Sequence, residues 1–296
     1  MLKRTVLITR KADIRVRYGQ LMVRMDEEVR QVPVEDLGFL VIEDRQTYIS
    51  IPAITELNRQ NVAVIFCDER HMPVSMMLNL DAHHLQQQIF RAQVEASEPL
   101  KKNLWKQTVK QKILNQAQLL ERRGLTRHPL RHFAAKVTSG DTTNREGAAA
   151  QYYWMHIMGR PFFRQRNGEH PNAWLNYGYA IIRAAVARAL AGSGLLNTLG
   201  IHHRNKYNAF ALADDIMEPF RPMVDEKVLA LMEQYPGREE PDREIKAGLL
   251  GLLTRTVYDR KGQKSPFMVA LQRTASSLQQ CFTGQRRTIE YPRLWN

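Results

Sequence analysis

Cysteine is nearly absent. Only Cys67 and Cys281 occur in 296 residues, far apart and with no C-x-x-C spacing, which excludes a disulfide framework and a cysteine-built zinc site. No apolar run reaches the roughly 20 residues that a membrane-crossing helix needs. The opening MLKRTVLITRKAD carries too short an apolar core for a secretory signal. Internal repeats and low-complexity tracts are missing too. These absences leave a folded cytoplasmic protein, large enough to bury a sizeable core in one or two domains.

Negative charge is also scarce, and unevenly so. Twelve Lys and Arg against 14 Asp and Glu put residues 1–100 at −2, whereas 31 against 16 put residues 101–296 at +15. Such asymmetry points to a polyanion met by the second part, with nucleic acid first and an anionic membrane surface second. A solvated basic face serving solubility is the plain alternative.

Residues 1–80 carry short β-branched runs, TVLIT, DIRVRYGQLMVR, FLVIE, TYISI and VAVIFC, with one short helix in PAITELNRQN. Alternation of Ile14, Val16 and Tyr18 with Arg15 and Arg17, then Gly19 at a bend, predicts a hairpin with one wet face. From about residue 82 the period becomes helical, with Pro99 separating two segments and Gly124 ending the second. Further helices are predicted over 145–158, 172–191, 213–234, 242–260 and 265–282, with a loop over 159–171. AWLNYGYAIIRAAVARAL is apolar nearly all round and is expected to be a buried central helix. The predicted fold class is α+β in two domains: a small N-terminal β-sheet domain over 1–80, a linker helix over 81–100, and a larger all-α domain over 101–296.

The stretch IHHRNKYNAFALADDIME, residues 201–218, gathers Asp214, Asp215 and Glu218 in a basic chain. At i, i+3 and i, i+4 spacing these acids share a helix face and repel one another, which a divalent cation with oxygen ligands would relieve. Alternatively Asp214 or Asp215 is an N-cap and Glu218 its capping-box partner. His202 and His203 fit either polar filler or ligands, and HHRNK fits a phosphate-contacting loop. Upstream, NREGAAAQYYW places Glu146 before Gly147 and three alanines, residues that let helices pack closely. A buried acid there would need a partner.

Taken together, E-G followed by small residues, N-x-x-L-N-Y-G-Y, G-x-x-H and D-x-x-E-P-F-R-P occur in order from Glu146 to Pro222. With VPVEDLGFLVIED and VAVIFCDERHMPVSMM near the N-terminus, the whole chain resembles the CRISPR-associated spacer-acquisition integrases, the Cas-one family, in their type II form. The resemblance implies a catalytic and metal-binding triad of Glu146, His203 and Glu218 holding Mg²⁺ or Mn²⁺. His203 is chosen over His202 for its place in G-x-x-H. Asp215, His202 and Arg221 are expected in support, Arg221 as a partner for the acids and Asp214 as a cap. Pro219 and Pro222 should start the acid-bearing helix late or kink it.

The implied chemistry is metal-dependent phosphoryl transfer. A 3′-hydroxyl of a short DNA fragment attacks a phosphodiester at a repeat boundary, inserting a new spacer in antiviral defence. Loss of a neutral His203 ring should depress activity at acid pH. DNA contacts are expected from Arg122, Arg123, Arg164, Arg166, Arg204 and Lys206. Expected partners are a second copy through the β domain, a bridging Cas-two dimer, the DNA fragment, repeat DNA, and the RNA-guided effector nuclease of the system, with no membrane. The competing readings are a non-catalytic helical nucleic-acid-binding protein and a purely hydrolytic metal-dependent nuclease.

Overall fold

The computed structural model describes residues 3–78, 83–159, 162–165 and 168–296. Two four-stranded sheets form its N-terminal part. Strands β1 (Arg4–Ile8), β2 (Asp13–Arg17), β3 (Gln20–Met25), β4 (Glu28–Pro33), β5 (Leu37–Ile42) and β6 (Tyr48–Ile49) precede helix α1 (Ile51–Arg59), with β7 (Ala63–Cys67) and β8 (Pro73–Met77) after it. One sheet runs β4-β3-β2-β6 and the other β1-β5-β7-β8. The predicted β2–β3 hairpin turns at Tyr18 and Gly19, both with positive φ, pairing Arg17 with Gln20.

The second sheet is the wall between two cores. Its central β5 reads LGFLVI, buried at every position, as expected of a strand in parallel pairing covered on both faces. Alternation then sorts the side chains. Leu40, Ile42 and Val64 join the N-terminal core with Ile14, Leu21 and Leu57, while Phe39, Val41, Ala63 and Ile65 join the helical core. At the end of this wall the buried Glu43 takes Lys246 Nζ at 3.2 Å and the Tyr177 hydroxyl at 3.2 Å.

Beyond the sheets come α2 (Gln86–Val94), α3 (Glu98–Arg122), α4 (His128–Ala135), α5 (Arg145–Ile157), α6 (Asn172–Gly192), α7 (Ala211–Met217), α8 (Arg221–Gln234), α9 (Arg243–Leu250), a hairpin of β9 (Thr256–Tyr258) and β10 (Lys264–Pro266), and α10 (Phe267–Phe282). Helix α3 is capped by Ser97 with Pro99 in its first turn, and at about 1.5 Å per residue it spans the domain. Helix α6 is the expected central helix, with 14 of its 21 residues buried.

Several boundaries differ from expectation. The domain boundary at residue 80 falls on 79–82, outside the described residues, and the 81–100 segment holds α2 and the start of α3 rather than one linker helix. The helix expected over 242–260 ends at Leu250, passes through a 3₁₀ turn (Gly251–Thr254) and becomes β9. There Thr254, Thr256 and Val257 are β-branched, and the Asp259 carboxylate closes a turn on the Lys261 and Gln263 amides. Strand β4 and helix α4 were not anticipated by hydrophobic period. The 213–234 helix breaks at a 3₁₀ turn over Glu218–Phe220, between α7 and α8, where the two prolines cannot supply interior N–H donors.

Candidate active site

Helix α3 is the floor on which the site is assembled. Within it Thr108, Asn115 and Gln116 are polar yet buried, at helical spacing with Lys112 along one face. Above this face stands the start of α5. Asn144 caps α5 by accepting from the Gly147 amide at 3.1 Å, and Asp141 accepts the Arg145 and Glu146 amides, each at 2.9 Å. A Cβ on Gly147 would lie 2.7 Å from the Asn144 side chain, so the glycine of E-G leaves room for the cap as it is placed. Glu146 is left free to reach inward, where its Oε1 accepts from Lys112 Nζ at 2.6 Å.

Glu218 approaches the same ammonium from the other side. The 3₁₀ turn that carries it is fixed by Asn115, whose amide donates to the Pro219 carbonyl at 2.6 Å. Its Oε1 accepts from Arg221 Nε at 2.7 Å, and its Oε2 lies 2.6 Å from Lys112 Nζ. The Oε2 contact is a close, buried ion pair. Burial would raise the Glu218 carboxyl, but Arg221 and Lys112 overcome it and bring the group down to about 2. Glu146 Oε1 and Glu218 Oε2 thus lie within twice 2.6 Å of each other across one cation.

His203 is set by Asp215, which is wholly buried in α7. Asp215 Oδ2 accepts the Ile201 amide at 2.7 Å and the His202 amide at 2.9 Å, and Oδ1 accepts the His203 amide at 3.2 Å. Its Oδ1 also lies 2.5 Å from His203 Nδ1. A carboxylate only accepts, so Nδ1 carries the proton and the lone pair of the neutral ring is on Nε2. That hydrogen bond, opposed by partial burial, raises the His203 ring above its ordinary value. A Cβ on Gly200 would meet the His203 carbonyl at 2.6 Å and Asp215 Oδ2 at 2.8 Å, which explains the glycine of G-x-x-H. The approach to this turn is held by Gln93 of α2, bonded to the Leu196 and Leu199 carbonyls and the Leu196 amide. His202 is directed elsewhere, stacked on Trp105 with centroids 4.1 Å apart and planes 1° from parallel.

Among the described residues no three His, Cys, Asp or Glu side chains stand together as a metal-ready group; Lys112 holds the point on which Glu146 and Glu218 converge. The chemistry of the donor set nevertheless suits a hard divalent ion: two carboxylates drawn onto one cation, and an imidazole whose Nε2 is kept unprotonated by a carboxylate behind it.

Asp214 is not a cap. It lies within α7, accepting from Asn208 Nδ2 at 2.8 Å, and the residue before the helix is Phe210. The arginines chosen as DNA contacts are mostly engaged within the chain. Arg122 and Arg123 pair with Glu226 and Glu233, Arg204 pairs with Glu98, and Arg164 donates to Asn172 at 2.9 Å and Asn176 at 2.7 Å. Arg166 lies outside the described residues. Lys206 lies 5.0 Å from the Tyr207 ring. Together with Lys101, Arg204 and His203 it lines an open cleft of about 590 Å³.

Sequence reasoning missed Lys112, Asn115 and Trp105. A signal was present: polar Thr108, Lys112, Asn115 and Gln116 recur at steps of four, three and one inside a helix whose other inward residues are apolar. The N-Y-G-Y motif also becomes intelligible. Tyr177 reaches Glu43, Gly178 lets α6 approach Val224, and Tyr179 bonds Asp225 while the Arg221 guanidinium lies 4.5 Å from its ring centroid.

The family described as CRISPR associated protein Cas1 matches residues 5–246. A CRISPR-associated endonuclease Cas1 of Neisseria meningitidis serogroup C (strain 8013) is 38% identical over 278 residues, covering 93% of this chain and 91% of that protein. Among solved structures, a casposase bound to integration product superposes with a TM-score of 0.80 at 20% identity, covering 97% of this chain and 92% of the casposase. The Cas6-RT-Cas1–Cas2 complex gives 0.75 at 19%, covering 99% of this chain and 36% of that one. At these identities the two structures speak for the fold, and the match over most of the sequence speaks for descent: the chain belongs to the CRISPR-associated Cas1 family.

Proposed function

We propose that this chain is a metal-dependent DNA integrase and endonuclease that inserts short DNA fragments into a CRISPR array. The observation that carries the reading is the convergence of Glu146 and Glu218 on one cation, with the Glu218 charge also acting on a His203 ring fixed through Nδ1 by Asp215. Glu146, Glu218 and His203 Nε2 would hold Mg²⁺ or Mn²⁺, for which oxygen donors with one imidazole are suited. A bound ion supplies Lewis-acid polarisation of the scissile phosphate. Asp215 keeps the His203 proton on Nδ1, and Arg221 keeps Glu218 ionised and aimed. Lys101 and Lys206 of the neighbouring cleft offer positive charge to phosphates without reading bases. The fragment's 3′-hydroxyl would give up its proton to solvent as it forms the new P–O bond, while the bond from that phosphorus to the repeat's 3′-oxygen breaks and the freed oxygen takes up a proton. No protein nucleophile is needed, and burial pushes the Cys67 and Cys281 thiols up to about 12 and about 11.

The partners follow from the same reading: a second copy through the sheet region, a Cas2 dimer, fragment and repeat DNA, and the effector nuclease of the system. The test is a strand-transfer assay with a labelled duplex bearing free 3′-hydroxyls, a supercoiled repeat plasmid, and MgCl₂ or MnCl₂, with and without Cas2. Joined product should form with the natural chain and vanish with Glu146→Gln, His203→Ala, Glu218→Gln or EDTA. Nicking without joining would favour a hydrolytic nuclease. Joining that survives Glu218→Gln or EDTA would refute the proposal.

A further inference from the structure

The geometry points to Lys112 as a built-in cation that holds the two acids of the site until a divalent ion displaces it. This rests on the metal-site reading above and adds a role for a residue outside the expected triad. Lys112 Nζ is 2.6 Å from Glu146 Oε1 and 2.6 Å from Glu218 Oε2, the place an ion bridging both would need. Its side chain is only 12% exposed, so it is a component of the site rather than a surface charge that wanders in.

Charge counting shows why both cations cannot stay. Lys112 and Arg221 already balance Glu146 and Glu218 in a poorly hydrated space. A divalent ion added without loss would leave a surplus of two positive charges at contact distances, where little water screens them. Of the two residents, Arg221 is the anchored one, bonded to Glu218 and lying over the Tyr179 ring. Lys112 is the movable one. Its four-carbon stem is flexible, and the 12% of its side chain that is exposed gives it a way toward water. The acids are therefore held close to each other without metal, and the ion enters by exchange rather than by addition.

The experiment is MnCl₂ titration of the full chain by calorimetry and by thermal shift, comparing the natural protein with Lys112→Gln, Lys112→Arg and Glu218→Gln. Lys112→Gln removes the competitor, so Mn²⁺ should bind at least about tenfold tighter. Its melting temperature should be lower without metal and rise more with it. Lys112→Arg, which keeps the charge, should not show the gain. A second readout uses the natural protein alone: acetylation of Lys112 by an amine-reactive reagent, followed by peptide mass spectrometry, should rise several-fold on adding Mn²⁺. Equal or weaker Mn²⁺ binding by Lys112→Gln would overturn the exchange role. Should Lys112→Gln not fold, unchanged Lys112 acetylation in saturating Mn²⁺ would do the same. Absence of Mn²⁺ binding in the natural protein and Lys112→Gln alike would instead bring down the metal-site reading beneath it.

Discussion

Replacing Asp215 by Asn tests whether the aspartate of D-x-x-E acts through His203. The substitution conserves size and removes one acceptor position. Asp215 Oδ2 serves two backbone amides, at 2.7 and 2.9 Å, while Oδ1 serves the His203 amide and ring. An asparagine oxygen satisfies the first pair best, so its NH₂ then faces the His203 amide and Nδ1. The His203 amide becomes a donor without acceptor, which costs about 1–3 kcal/mol, and a charge-assisted bond worth about 1.5–3 kcal/mol disappears. Offset by the bond of about 0.5–1.5 kcal/mol that the asparagine NH₂ can donate to Nδ1, the net loss of roughly 2–4.5 kcal/mol should lower the melting temperature by several degrees in a chain of this size. The ring is also driven to the other tautomer, with the proton on Nε2, where no metal can be accepted. Single-turnover strand transfer should fall roughly 10- to 100-fold or more, in the range typical of lost support behind a ligating histidine. Measured at a temperature where Asp215→Asn is folded by circular dichroism, a rate equal to that of the natural chain would refute the reasoning.

Asp225 sets a pH dependence of stability that the site does not share. Burial raises its carboxyl to about 6 from an ordinary 3.8, against hydrogen bonds from Tyr179 and Tyr153 that lower it. A folded value above the unfolded one stabilises fully below about pH 3.8, and that contribution is lost as pH rises through about 6. The loss is worth about 3 kcal/mol. Relative to Asp225→Asn, the natural chain should therefore lose stability between about pH 3.8 and pH 6, and parallel melting profiles would contradict this. Gly178→Ala places a methyl 2.4 Å from Val224 Cγ1, on a fully buried β-branched side chain that has no room to turn. The overpacking cost of about 1–3 kcal/mol exceeds the roughly 1 kcal/mol helix gain from alanine. A lower denaturation midpoint is expected, and an equal or higher one would show that α6 and α8 can separate freely.

What the sequence disclosed and what it hid divide along physical lines. Period and punctuation revealed the sheet-then-helix order, the Tyr18–Gly19 hairpin, the buried α6 and the break at Pro219 and Pro222, because each is a local consequence of its own residues. The hairpin β9–β10 was hidden because Leu249, Leu250, Leu252 and Leu253 sustain a helical period up to the point where β-branching takes over. Acid roles were partly legible. Spacing brought Asp214, Asp215 and Glu218 together, but their three fates depend on Asn208, the Gly200–His203 turn and α3, none of which spacing can place. Net charge is silent about individual arginines. A sum of +15 does not say which acid neutralises which base, and Arg122, Arg123 and Arg204 prove to have acids of their own.

Helix α3 explains how segments so distant in sequence can act as one site. Trp105 receives the His202 ring, Lys112 joins Glu146 to Glu218, and Asn115 pins the carbonyl of Pro219. These residues follow one another along the same side of one helix, at steps of seven and three. A rigid helix fixes their separation far better than the loops that bring in His203 and Glu218 could fix it among themselves. The two loops need only be correct relative to α3 to be correct relative to each other. Each is tied twice: the histidine turn through Asp215 and Trp105, the Glu218 turn through Asn115 and Arg221. A loss at either tie should therefore displace one of the two proposed ligands and spare the other, whereas bending α3 should disorganise both. The polar stripe of α3 is therefore as much a part of the site as the acids and the histidine that first drew notice to it.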